Sequence, residues 1–306
     1  MKLHPRGKFD NHAKDYRHIG VVPLASAMGS EVTGVDLGNL NDDQFGEIEH
    51  ALYRHKMIFF RGQKISHTDH ERLALRFGEF GTDAYTTGTP GHPNIQPVVK
   101  EADTVSSMVF GDGWHTDSPF LARPPSIMLL YGADIPPFGG DTIWANTALA
   151  DSYLSTTMKA VLAPLKVHMS AAGVMASIGE ASRAGTAQNA APTKLGNIDL
   201  DLDAEAMTRG SFHPIVRTHP KTGEKSLYVE ETYSAGIEGM TAGEGAALFE
   251  FLQAHVTQEA LTCRLRWQTN TFAIWDNRCC IHRAFNDYDG YRREMYRATV
   301  LGEPPA

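Results

Sequence analysis

The C-terminal quarter of the chain constrains its fold most. Four short apolar or β-branched runs follow one another at 261–267, 271–275, 279–285 and 293–301, and each reads as a strand. Shorter runs of the same kind recur upstream. Residues 19–24 and 31–35 flank the turn Met28-Gly29-Ser30, and 57–60 is stopped by Arg61-Gly62. Further runs lie near 95–99, at 126–131 and at 142–145, the last after the turn 136–141. Residues 213–217 and 226–230 read as a hairpin around 220–224. Helical patterns stand between them. Asn41-Asp42-Asp43 caps a helix carrying Phe45, Ile48 and Leu52, and Ser66 to Asp69 has capping-box form ahead of Leu73 and Phe77. Residues 147–163 and 241–255 read as two more helices. Many short strands, with helices grouped before and between them, predict a mainly β fold with flanking helices. A jelly-roll double sheet fits this order better than βαβ winding.

One segment breaks the pattern. Residues 169–211 are rich in Ala, Gly, Ser, Thr and Asn, poor in aromatics and weakly periodic. They are expected to form an insertion within a single domain spanning 1–306, either a surface loop or a lid over a site. A formal net charge of −8 argues against a nucleic-acid surface, and no run approaches the length of a membrane span. Three cysteines without a CxxC pair fit a reducing compartment, and the polar first 20 residues lack an apolar core. A cytoplasmic location is the expectation.

The chemistry concentrates in Trp114-His115-Thr116-Asp117. On extended backbone, residues two apart point the same way, so His115 and Asp117 converge. One further histidine would complete a two-histidine, one-carboxylate set, which leaves open positions and suits non-haem Fe(II) oxygen chemistry. With 14 histidines, decoys exist. His67-Thr68-Asp69 repeats the tripeptide, but at a helix start where Asp69 serves as a cap. His282 lies on a predicted strand ahead of Arg293 and Arg297, which share a strand face. His255 precedes Arg266 at the same spacing as His282 precedes Arg293, but it ends a predicted helix. Two arginines on one face suit carboxylates or other oxyanions, or else an exposed edge.

These pieces resemble the TauD/TfdA family of Fe(II)/2-oxoglutarate-dependent dioxygenases. In order, they are Trp114-His115-Thr116-Asp117; Gly139-Gly140-Asp141-Thr142; His213-Pro214 with Arg217-Thr218-His219-Pro220; and Trp275-Asp276-Asn277-Arg278 with His282, Arg293 and Arg297-Ala298-Thr299. Gly34 to Leu37 and Phe59 to Gln63 extend the likeness over about 19–302. The resemblance implies a double-stranded β-helix in which His115, Asp117 and His282 bind Fe(II). It implies that Thr142 and Arg293 hold the distal carboxylate of 2-oxoglutarate, and that Arg297 meets the anionic group of the primary substrate. Tyr233 and Ser118 fall on the substrate side. The implied reaction consumes O2, releases succinate and CO2, and hydroxylates a small organic anion. Asp117 separates the chain from halogenases of this type, which lack the carboxylate.

Gly111 stands where taurine-specific members carry asparagine, which points away from taurine and toward aryloxyalkanoates, sulfonates, alkyl sulfates or an amphoteric metabolite. Glu230 replaces an asparagine common in relatives, as a surface residue or as a partner for a cationic group. Cys280 shares strand parity with His282, near the metal or as a core thiol. A dimer or tetramer is the expected assembly. Desaturation or ring formation at the same centre is an open alternative. So, from other classes, are a non-catalytic jelly-roll binder and a zinc hydrolase, although a zinc hydrolase has no use for Thr142 and Arg293.

Overall fold

The computed structural model describes residues 7–104, 111–183, 194–195, 198–199 and 204–306; for 178–183, 194–195, 198–199 and 204 it describes the backbone only. Phe110 of the central motif, the first six residues of the leader and much of the 169–211 insertion therefore lie outside the described residues.

In chain order, a hairpin of β1 (Gly20–Pro23) and β2 (Ser30–Thr33) leads into α1 (Asp42–His55), β3 (Met57–Phe60), α2 (His67–Phe77) and β4 (Gln96–Lys100). After the central motif come β5 (Ile127–Asp134), β6 (Thr142–Asn146), α3 (Thr147–Tyr153), α4 (Thr156–Leu162) and β7 (Lys166–Met169). The insertion carries α5 (Ala172–Arg183), the two-residue strands β8 (Lys194–Leu195) and β9 (Ile198–Asp199), and α6 (Ala204–Arg209). The remainder is β10 (Ser211–Pro214), β11 (Val216–Thr218), β12 (Lys225–Leu227), β13 (Ser234–Ile237), α7 (Ala242–Val256), β14 (Thr262–Leu265), β15 (Thr271–Asp276), β16 (Cys280–Ala284) and β17 (Arg293–Val300).

The larger sheet has the order β1-β2-β3-β15-β5-β17-β4. Its strands pair antiparallel except β2 with β3. A second sheet, β14-β6-β16, lies against it, with β10-β7-β13 and β11-β12 as smaller neighbours. Strand alternation explains the layering. Phe272 and Ile274 of β15 pack with Ile48, Leu52 and Leu73 of the helices. Ala273 and Trp275 point the other way, into a core shared with Trp144 of β6, Cys263 of β14 and Met295 of β17. β15 is buried at every position because both of its faces are covered. The fold is mainly β, of the double-stranded β-helix type, with helices on the outer face.

The helix caps follow the sequence. Asn41 and Gln44, Ser66 and Asp69, and Thr241 and Glu244 each form a reciprocal capping box. Two expectations need correction. The helix expected over 147–163 is two helices, because Leu154 is extended and the Ser155 hydroxyl accepts from the Met158 N–H to start the second. The hairpin expected from 213–217 and 226–230 is only β11 with β12. His213 leaves it to pair, within β10, with Val167 of β7.

Candidate active site

His115 and His282 meet across an isolated antiparallel bridge. The His115 N–H donates to the His282 carbonyl at 2.9 Å, and the His282 N–H donates back at 2.7 Å. The two rings end 4.2 Å apart, centroid to centroid. Asp117 enters the same space. Its Oδ1 lies 4.0 Å from Nε2 of His115, and its Oδ2 lies 3.6 Å from Nε2 of His282. One ligand atom from each of the three residues lies within 4.8 Å of the others.

The surroundings fix which atoms face inward. Nδ1 of His115 donates to the Gly113 carbonyl at 2.8 Å, which leaves Nε2 as the lone-pair nitrogen toward Asp117. His282 is packed between Trp144, stacked at 6.2 Å, and Trp275, tilted at 4.9 Å. Asn277, in the turn between β15 and β16, clips the motif in place. Its Oδ1 accepts from the Asp117 N–H and from the Thr116 hydroxyl, each at 2.9 Å, and its Nδ2 donates to the carbonyls of Asp117 and Pro125.

Burial drives the electrostatics. It pushes the Asp117 carboxyl up, against the pull of Arg297 and His115, and it holds His282 well below the usual imidazole range, helped by His115 and Arg297. Neutral imidazoles are what a metal requires. Oδ2 of Asp117 is buried with no hydrogen-bond partner among the described residues. A buried acceptor in that condition is costly unless something cationic meets it. Two imidazole nitrogens and a carboxylate around one point fit a divalent first-row metal with open positions.

Thr142, Arg293 and Arg297 open onto the same cavity as the triad, whose other walls are mostly apolar, among them Val98, Leu130 and Met295. Arg293, Met295 and Arg297 alternate on β17 and are all buried, so the shared face expected from their spacing is present. Nη2 of Arg293 donates to the Gly140 carbonyl at 3.1 Å, and its buried Nε has no partner among the described residues. The Thr142 hydroxyl accepts from the Trp267 indole at 2.9 Å, which orients it. Arg297 is engaged by two carboxylates: Nη2 by Asp83, and Nη1 by Oδ1 of Asp117 at 3.3 Å.

Tyr233 and Ser118 are not among the residues lining this cavity. Tyr233 is buried beside it, its hydroxyl accepting from Tyr85 at 2.7 Å and its ring edge-on to Phe120. Ser118 takes a positive φ of 46°, where the chain turns away from the triad. Glu230 is buried, not on the surface. Burial pushes its carboxyl up to about 8, against the N–H groups of Thr232 and Tyr233 that it caps. Cys280 is a core thiol directed at the Lys56 carbonyl.

The decoy histidines are occupied elsewhere. The His67 ring packs edge-on to Tyr296, and Nε2 of His255 donates to the Ala150 carbonyl. His219, Asp276 and Cys279 also approach one another. Arg278 already grips Asp276 with two bonds, and His219 accepts from the N–H groups of Lys221 and Thr222 while donating to Asp276. That cluster is a closed structural network. Asn277, Trp267 and Asp83 carry parts of the site that spacing alone did not flag.

Comparison with known proteins gives a consistent picture. The family model described as "Taurine catabolism dioxygenase TauD, TfdA family" matches residues 20–299. An alpha-ketoglutarate-dependent sulfate ester dioxygenase of Pseudomonas putida is 33% identical over 94% of this chain and 91% of its own length. An alkylsulfatase of Acinetobacter baylyi is 32% identical over 92% of this chain and 84% of its own. Among solved structures, a taurine dioxygenase from Burkholderia xenovorans superposes with a TM-score of 0.75 at 31% identity, covering 95% of this chain and 93% of that one.

Proposed function

The chain belongs to the TauD/TfdA dioxygenase family and is a 2-oxoglutarate-dependent dioxygenase; on that premise we propose that His115, Asp117 and His282 hold Fe(II), that Thr142 and Arg293 hold 2-oxoglutarate, and that the primary substrate is a small organic anion of the sulfate ester or sulfonate type. The observation that carries the proposal is one cavity lined by the proposed triad together with Thr142 and a buried arginine whose Nε has no partner among the described residues. A zinc hydrolase or a passive binder has no need of that pair.

With iron bound, the group supplies O2 activation coupled to oxidative decarboxylation of 2-oxoglutarate to succinate and CO2. The chain supplies position and charge. Arg293 presents a permanent cation whose geometry matches a carboxylate. Trp267 orients the Thr142 hydroxyl, which would donate to the same carboxylate. The apolar walls keep water from the reacting centre. Arg297, four residues along β17, lies about 13 Å from Arg293 on a strand rise of about 3.3 Å per residue, so the two cations address different anions. Arg297 meets the substrate anion; Tyr233 and Ser118, set back from the cavity lining, would act there only indirectly. We read residues 1–306 as one domain, a reading supported by β1 and β17 belonging to one sheet.

The test is oxygen uptake and succinate release with Fe(II), 2-oxoglutarate and a panel of alkyl sulfates, sulfonates and aryloxyalkanoates. Substrate-triggered uptake matched by succinate is expected from the unaltered enzyme, and its loss from Asp117→Ala. An Asp117→Ala protein that still couples succinate release to substrate oxidation would sink the assignment.

A further inference from the structure

Arg297 is the cation assigned to the substrate, and a carboxylate of the chain is already on it. Asp83 follows α2 in a tight turn. Its Oδ1 accepts from the N–H groups of Tyr85 and Thr86, each at 2.9 Å, which aims Oδ2 at Nη2 of Arg297. Both side chains are shielded, Arg297 at 8% and Asp83 at 3% exposure, so water screens the pair little. The other side of the guanidinium faces Asp117.

The charge balance is then closed before substrate arrives. Fe(II), Asp117, a 2-oxoglutarate dianion and Arg293 sum to zero, and Arg297 with Asp83 sums to zero. A substrate anion entering beside Arg297 adds uncompensated charge next to a buried carboxylate, and like charges so placed repel with little screening by water. We infer that Asp83 is a specificity-determining residue: it competes with the substrate anion for Arg297, so simple monoanions bind weakly unless they displace it or bring a cationic or hydrogen-bond-donating group to satisfy it. The inference rests on Arg297 as the substrate-side cation.

The experiment measures binding of hexyl sulfate and of the zwitterion taurine by calorimetry, without turnover, to protein loaded anaerobically with Fe(II) and 2-oxoglutarate. It uses the unaltered chain, Asp83→Asn, Arg297→Gln and the double variant. Asparagine keeps the side-chain oxygen that caps Tyr85 and Thr86, and thermal melting checks the fold. Asp83→Asn should tighten hexyl sulfate at least about tenfold, which corresponds to about 1.4 kcal/mol, and should gain less for taurine. The gain should vanish in the Arg297→Gln background. If Arg297→Gln weakens hexyl sulfate but Asp83→Asn leaves its affinity unchanged or lower, the competition is refuted and the substrate assignment of Arg297 survives. If Arg297→Gln has no effect in either background, both the assignment and the inference fall.

Discussion

Single residues decide whether the triad can close on a metal. Asn277 touches no candidate ligand atom, yet four of its hydrogen bonds hold Thr116, Asp117 and Pro125. Asn277→Ala strips the buried Asp117 N–H of its acceptor, which costs about 1–3 kcal/mol of stability. It also frees the ligand segment, and outer partners of this kind are worth about 10–100-fold in metal affinity. Anaerobic Fe(II) titration should show that loss, and an affinity equal to the parent's would refute the positioning role. The convergence of His115 and Asp117 was legible from residue type and their two-residue spacing, although His115 sits on an isolated bridge and neither lies in a regular strand. His282 was reached through the resemblance and its place ahead of Arg293 and Arg297. Asn277 was visible within Trp275-Asp276-Asn277-Arg278, but a polar residue after a strand reads as a turn. Its partners lie about 160 positions away in the chain, and only the fold supplies them. Asp83 was silent for the same reason, its partner Arg297 being 214 positions distant.

At the scale of elements, parity made β17 readable and loops did not reveal themselves. The face shared by 293, 295 and 297 follows from period two alone. The turn ahead of β6 is a different matter, because its role depends on what crosses it. Gly139 and Gly140 both have positive φ, 72° and 66°. A Cβ on Gly140 would stand 3.1 Å from Nε of Arg293 and 3.2 Å from the Tyr288 ring. The Gly140 carbonyl is also the acceptor for Arg293. Gly140→Ala therefore costs about 1–2 kcal/mol in backbone strain and pushes the guanidinium off its line. We predict that KM for 2-oxoglutarate rises about tenfold, the equivalent of about 1.4 kcal/mol of lost binding, while anaerobic Fe(II) affinity falls far less. Equal losses in both would mean that the turn supports the whole site and not the cosubstrate end. The break between α3 and α4 was missed too. Ser155 carries the local signal, an N-cap side chain that accepts from the Met158 N–H, but the apolar run on either side reads as one helix.

For the whole molecule, the buried histidines set the response of the metal-free chain to acid, His282 of the proposed triad among them. His55 is fully buried at the end of α1 and donates from Nδ1 to Asn11, which in turn donates to the carbonyls of Ala25 and Gly29. Burial, then Arg54, lowers its pKa to about 4. His70 is buried edge-on to Phe272, and burial lowers its pKa to about 3. His213 is lowered by burial too, while Nε2 donates to the carbonyls of Pro119 and Leu121 and ties down the chain just after the triad. In each case the folded pKa lies below the unfolded value of about 6.5. Between the two, the unfolded chain binds more protons, so stability is complete above about pH 6.5 and is lost as pH falls toward the folded pKa. Each such histidine adds up to about 1.4 kcal/mol per pH unit to that slope. Urea unfolding of the metal-free protein should therefore show a falling free energy from pH 7 to pH 5, before most carboxylates protonate. His55→Gln, which keeps a donor for Asn11 but cannot take up a proton, should flatten the slope by about one histidine's share. A parent curve flat over that range would overturn the account, and an unchanged slope in the variant would assign the acid response to His70, His213 and His282 instead.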